Sequence, residues 1–211
     1  MSTISVFHKH RLEALSDGLF AIAMTLLVLD LKVPQVHTSR ELASALGAQT
    51  WAYFGFALTF SIAAVYWRLQ HRLFDCIETI GAEAMVPTFV FLAFISLLPF
   101  TTALISENGD AALSFVLYFG NLAIAAGALV AKLELAIAHK HTIAGANLQE
   151  LRSRLLRNFF VMLAGALGAA FLSRRYMWCA PVGAAVVLRL AKYLLRHTRE
   201  RRKASRTPAV R

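Results

Sequence analysis

An acid inside an apolar helix is the feature of this chain that most needs a chemical account. Within the run RLEALSDGLFAIAMTLLVLD (residues 11–30), Asp17 stands between Ser16 and Gly18 among aliphatic side chains. An unpaired carboxylate in a membrane interior costs at least about 2.5 kcal/mol, so it requires a partner on another helix. Trp67 and His71 lie one helical turn apart near the end of a second apolar segment, 50–74. If the two segments run antiparallel, His71 lies at the depth of Asp17, and Trp67 brings an indole N–H. The expectation is a buried hydrogen-bond network of Ser16, Asp17, Trp67 and His71, with Gly18 letting a neighbouring backbone come close. Such a network either pins the two helices together or relays protons. One acid and one histidine make a poor metal site, and none is expected there.

Other titratable groups suggest less. His8-Lys9-His10 and His139-Lys140-His141 have the chemistry to bind a metal or to titrate near pH about 6.5, and equally that of solvated headgroup contacts. Lys132 is expected to extend its amine toward the interface, and Glu134 to pair with the basic residues of 152–157. Cys76 and Cys179 form no disulfide framework. The chain has no GxSxG, HExxH or phosphate loop, so neither a catalytic residue nor a cofactor is expected.

The elements that must position these groups follow from composition. The chain has 211 residues, 58% hydrophobic and only 16% charged, yet its net charge is +10. Mean hydropathy is +0.57. Such a balance excludes intrinsic disorder and argues against a soluble nucleic-acid binder. It fits an all-α integral membrane protein with basic residues gathered on one side. Six segments have the length and apolarity to span: 13–33, 50–74, 83–106, 111–138, 155–172 and 178–195. They form one membrane domain, 1–197, followed by a basic tail, 198–211. The first segment has a basic start but no small-residue cleavage site after its apolar core, so it reads as a retained helix. Thr38 or Ser39 is expected to cap a short helix ending near Gly47.

Lysine and arginine set the orientation. With a cytoplasmic amino terminus, Lys9, Arg11, Arg68, Arg72, Lys140, the 152–157 arginines and the tail all fall inside. Lys32, Arg40, Arg174 and Arg175 fall outside. Both termini are therefore expected in the cytoplasm. The tail anchors to anionic headgroups at about 1 kcal/mol per basic residue.

Arg11, Ser16, Asp17 and Gly18 resemble the R-x-x-x-F-S-D-G signature of the transmembrane protein 175 family of endosomal and lysosomal potassium channels and their prokaryotic relatives. Leu15 stands where the signature usually has Phe. Trp67, His71 and Phe74 are similar to the W-x-x-x-H pattern of the family's second helix. Pro99, Phe100 and Thr102 are similar to the PF-containing end of its third.

Independently of that resemblance, Leu15, Gly18, Ile22, Leu26, Leu29 and Val33 fall within a stripe of roughly 60° on the first helix. Arg11 lies at one end of the stripe and Thr25 on its edge, with Asp17 on the far side. A stripe of this kind on a membrane helix ordinarily faces lipid or packs. The resemblance gives it another meaning. In that family the first helices surround the pore, and large aliphatic side chains replace a carbonyl filter. By position, Ile22, Leu26 and Leu29 match the constriction, with the Thr25 hydroxyl nearby. The resemblance also implies a homotetramer of identical subunits in a prokaryotic inner (plasma) membrane. No second copy of residues 11–30 occurs in the chain, so further lining helices must come from other subunits.

A ring of Ile or Leu offers an ion no ligands, and no TVGYG-like run supplies carbonyls instead. Passage then depends on shedding hydration water, which potassium holds less tightly than sodium. The implied function is a potassium-preferring cation channel with an apolar gate. Asp30 is placed either to attract cations to the outer mouth or to pair with Lys32 or Arg40. The rival readings are a proton-coupled carrier using Asp17 and His71, and a non-conducting membrane scaffold.

Overall fold

The computed structural model describes residues 9–171. Regular structure among them is helical apart from one isolated antiparallel bridge, Ile77 to Thr142. Helix α1, Lys9–Leu26, tightens into a 3-10 turn over Leu27–Asp30. The short α2, Ser39–Ala48, follows, with the Thr38 hydroxyl accepting from the Glu41 amide at 3.3 Å. That bond satisfies one of the free amides of the first turn, as the sequence leads one to expect. Next comes α3, Thr50–Cys76.

The third expected segment is a single span in two pieces, α4 (Met85–Ser96) and α5 (Leu98–Glu107), entered through a 3-10 turn at Ala82–Ala84. Pro99 lies in the first turn of α5 and has no N–H to give the Ile95 carbonyl, so the helix breaks at Leu97. The chain continues as α6, Ala112–Ala138, and α7, Leu148–Phe171. Helix α7 begins well before the expected residue 155. Its first turns carry Glu150, Arg152, Arg154 and Arg157, which mask the helix in hydropathy, while Leu151 and Leu155 are buried. The expected span 178–195 and the tail 198–211 lie outside the described residues.

Five helical stretches among the described residues are long and apolar enough to cross a membrane: Lys9–Asp30, Thr50–Cys76, Ala82–Glu107, Ala112–Ala138 and Leu148–Phe171. The Lys9 ammonium donates to the Ile77 carbonyl at 2.9 Å, tying the start of α1 to the end of α3. There the Glu78 amide donates to the His141 carbonyl and the Ile143 amide to the Cys76 carbonyl, joining two connections. At the other end Lys32 pairs with Glu107 and Gln49 donates to the Lys32 carbonyl.

Helices α3 and α6 run in the same direction, matched in order by Thr59 to Tyr118, Tyr66 to the Leu122 carbonyl, and Phe74 to Lys132. The Thr102 hydroxyl donates to Thr59 at 3.0 Å, and Thr59 bonds Tyr118 at 3.0 Å, linking α5, α3 and α6. A hydroxyl buried in a low-dielectric core needs such a partner.

Lys132 does not reach toward the interface. It is 1% exposed, its ammonium stands 3.6 Å from the centroid of the Phe74 ring, and it has no hydrogen-bond partner. The cause is geometric. Helical Cα–Cβ bonds tilt toward the helix N-terminus, so this lysine starts out aimed back into the bundle, where α3 encloses it. Glu134 does bind a base, accepting from the Arg152 guanidinium.

Candidate functional site

Helix α1 has two contrasting sides. Leu12, Ser16, Phe20, Ala23 and Leu27 are buried against the rest of the chain at helical spacing. Another line is left uncovered: Leu15 is 46% exposed, Ile22 61%, Leu26 42% and Leu29 70%, whereas Val33, 80% exposed, lies past the helix end at Asp30 and so falls outside the helical line expected of it. Beside it runs an open apolar groove lined by Ala14, Leu15, Gly18, Leu19, Ile22, Ala23, Leu26 and Ser96. Ser96 comes from the last turn of α4, just before the break, and was not singled out from sequence.

Leu29 lies beyond the α-helix, in the 3-10 turn. Side chains three apart eclipse one another in that geometry, so Leu29 stacks over Leu26 on the same side. The tightened turn thus keeps the line straight. Thr25 is exposed, and its hydroxyl donates back to the carbonyls of Ala21, at 3.0 Å, and Ile22, at 2.8 Å.

The four expected network residues are only partly brought together. The Trp67 indole N–H donates to the Asp17 carboxylate at 2.8 Å, joining α3 to α1. His71 stacks on Trp67, with ring centroids 5.7 Å apart and planes at 19°, and makes no hydrogen bond to Asp17 among the described residues. Ser16 is separate. It turns into the core at 1% exposure and its hydroxyl donates to the Leu12 carbonyl at 2.8 Å. One position along a helix is a 100° rotation, which sends neighbours Ser16 and Asp17 to different faces. Nor is the network buried within the chain, since Asp17, Trp67 and His71 are all exposed.

Gly18 is also exposed, and a Cβ built on it would meet no neighbouring element within 4 Å among the described residues. Arg11 is exposed at the start of α1.

Asp30 is half-buried, and its Oδ2 has no hydrogen-bond partner. Lys32 binds Glu107 instead, a pairing between distant sequence positions that no local spacing announces. The Glu107 carboxylate holds the Lys32 ammonium above its ordinary pKa. Arg40 enters no ion pair among the described residues. His8 lies outside the described residues, and among those described no group of three or more His, Cys, Asp or Glu side chains is placed for a metal. His10 bonds Glu13 at 3.2 Å, and His141 pairs with Glu83 at 3.1 Å.

The fold and the uncovered helix face define a multi-pass α-helical membrane protein in which one aliphatic side of the first helix is left uncovered among the described residues. Residues 11–99 match the family described as the endosomal/lysosomal potassium channel TMEM175. Over that stretch the chain is similar to the TMEM175 family. It is 36% identical over 97 residues to a protein of Streptomyces collinus named as a potassium channel, a match covering 46% of this chain and 47% of that one. It is 33% identical over 102 residues to the human endosomal/lysosomal proton channel TMEM175, covering 43% of this chain and 20% of the human one. The matched segment therefore spans about half the length of the bacterial relative and a fifth of the human one. A crystal structure of a lysosomal potassium-selective channel TMEM175 homologue from Chamaesiphon minutus superposes with TM-score 0.74 at 27% identity, covering 88% of this chain and 96% of that one.

Proposed function

We propose that four copies of this chain, each with six membrane spans, form a potassium-preferring cation channel with the α1 helices around the central axis. The observation that carries the reading is the line of Ile22, Leu26 and Leu29, large aliphatic side chains left uncovered along the whole face. In a bilayer that face meets lipid, a second chain, or water. Repeated around an axis, it makes a narrow apolar ring without ion ligands, which conducts when wet and closes by dewetting. Potassium sheds its hydration more readily than sodium and passes such a ring at lower cost. Thr25 supplies a hydroxyl beside it, and Asp30 lies at the outer mouth. The membrane is the prokaryotic plasma membrane, with both termini in the cytoplasm, as the lysine and arginine distribution favours. Domain 1–197 forms the channel, and the basic tail 198–211 lies against cytoplasmic headgroups.

The test is a bilayer recording of reconstituted protein under opposed potassium and sodium gradients. Wild type should give a passive potassium-preferring current. Ile22→Asn should raise sodium permeability relative to potassium by about tenfold, equivalent to about 1.4 kcal/mol of barrier. An unchanged ratio in a protein that remains tetrameric removes Ile22 from the selecting ring.

A second reading, proton permeation, has a specific observation behind it: the vertebrate relatives are named proton channels. The bond from Trp67 to the exposed Asp17 carboxylate gives it a candidate group. Under a pH gradient with symmetric potassium, a proton pathway shifts the reversal potential, whereas a potassium pathway leaves it at zero. Asp17→Asn abolishes the former and spares the latter.

A further inference from the structure

The end of the bundle opposite the start of α1 carries three charges whose partnership is uneven. Lys32 and Glu107 form an ion pair, with side chains 72% and 58% exposed. Asp30 lies within Coulombic reach of both yet binds neither, and its Oδ2 has no hydrogen-bond partner among the described residues. Gln49 donates to the Lys32 carbonyl at 2.8 Å and holds the backbone that carries the lysine. Leu29, a strongly exposed member of the uncovered α1 line, and Val33, strongly exposed just beyond the helix, bracket Asp30 and Lys32 in sequence. The trio therefore stands where that line ends. Arg40 and Glu41 on α2 and Asp110 in the turn after α5 are the other charges of this end, and none joins an ion pair among the described residues.

We infer that Lys32 and Glu107 are charge-setting residues of the channel's outer entrance: by engaging Lys32, Glu107 leaves Asp30 uncompensated, so these three residues together present entering cations with one net negative charge per subunit. This rests on the channel reading above. Neutralising Lys32 raises that charge to two per subunit. Neutralising either carboxylate reduces it to zero, in one case because the lysine is released to compensate Asp30. Four copies around an axis sum these fields over low-dielectric walls, which raises the local concentration of cations. The effect belongs to dilute salt. The screening length is about 30 Å at 0.01 M and about 3 Å at 1 M.

The experiment is single-channel recording of the reconstituted full chain in about 0.01 M and about 1 M KCl, comparing wild type with Lys32→Gln, Asp30→Asn, Glu107→Gln and the double variant Lys32→Gln/Glu107→Gln. In dilute salt, Lys32→Gln should increase inward unitary current about twofold or more, and Asp30→Asn and Glu107→Gln should each reduce it by a similar factor. The double variant restores one net negative charge and should conduct as wild type does. In concentrated salt all five should coincide, which a merely structural role for the pair does not produce. A Lys32→Gln current equal to or below wild type in dilute salt, with matching currents in concentrated salt, overturns the inference while leaving the channel reading intact. Absence of any wild-type current at either concentration, with tetramers present in the vesicles, overturns the channel reading and this inference with it.

Discussion

At the scale of single residues, two polar groups show how differently a membrane protein can treat them. Asp17 is exposed on its own chain and takes one strong donor, the Trp67 indole. Trp67→Phe keeps a ring to stack on His71 but removes that donor. A hydrogen bond to a charged group contributes about 1.5–3 kcal/mol, and exposure puts this one at the lower end. The thermal midpoint of the purified protein should fall by about 3–6 °C, taking about 2–4 °C per kcal/mol for a chain of this size. Asp17→Asn in the same background should add little, because the partner is already gone. Fully additive losses would show that the bond contributes nothing. Lys132 is the opposite case. Its ammonium is buried against Phe74 without a hydrogen-bond partner, within Coulombic reach of Glu13. Lys132→Met preserves length and removes a desolvated cation, a change that is often neutral or stabilising by about 1–4 kcal/mol. The midpoint should rise by at least about 2 °C. A drop of that size would mean that the ring and Glu13 together outweigh the desolvation.

At the scale of elements, what the sequence reveals depends on whether the deciding contacts are local. The cap at Thr38, the turn after Glu107 and the starts of α3 and α6 are local chemistry, and they fall where the residues place them. The division of α1 into two faces is periodicity and could be read residue by residue. Its closing 3-10 turn could not, although that turn brings Leu29 over Leu26. Spacing at 100° per residue already put the two on one side, and the tighter turn reaches the same alignment by a different geometry. Hydropathy concealed the first turns of α7 because its arginines face outward while Leu151 and Leu155 face in. It showed the α4–α5 span but not its break, which follows from the missing N–H of Pro99. The candidate site divides in the same way. The uncovered aliphatic line was legible. The pairing of Lys32 with Glu107, the separation of Ser16 from Asp17 and the enclosure of Lys132 were not, because each depends on a helix brought alongside from elsewhere in the chain.

At the scale of the whole molecule, the proposal turns on a face that one chain leaves unfinished. In lipid there is no hydrophobic drive to cover it, so association has to come from close packing, which small residues allow. The groove beside the exposed line supplies them at Ala14 and Gly18. Gly18 is the discriminating position. A Cβ added there meets nothing within 4 Å among the described residues and the position is exposed, so the subunit itself has room for the side chain of Gly18→Leu to start outward. The substitution also favours the helix intrinsically, by about 0.8 kcal/mol. Its cost arises only if another subunit's helix approaches over that glycine. In the tetramer a leucine would hold the helices apart and forfeit the van der Waals contact that drives association. Wild-type protein should therefore appear as four chains by native mass spectrometry, and Gly18→Leu mainly as single chains with unchanged far-ultraviolet helicity. Tetramers that survive the substitution would place Gly18 on the open side of the line, away from the junction between subunits. Wild-type protein that is monomeric in vesicles as well as in detergent would remove the pore altogether, since one α1 helix cannot enclose a path for ions.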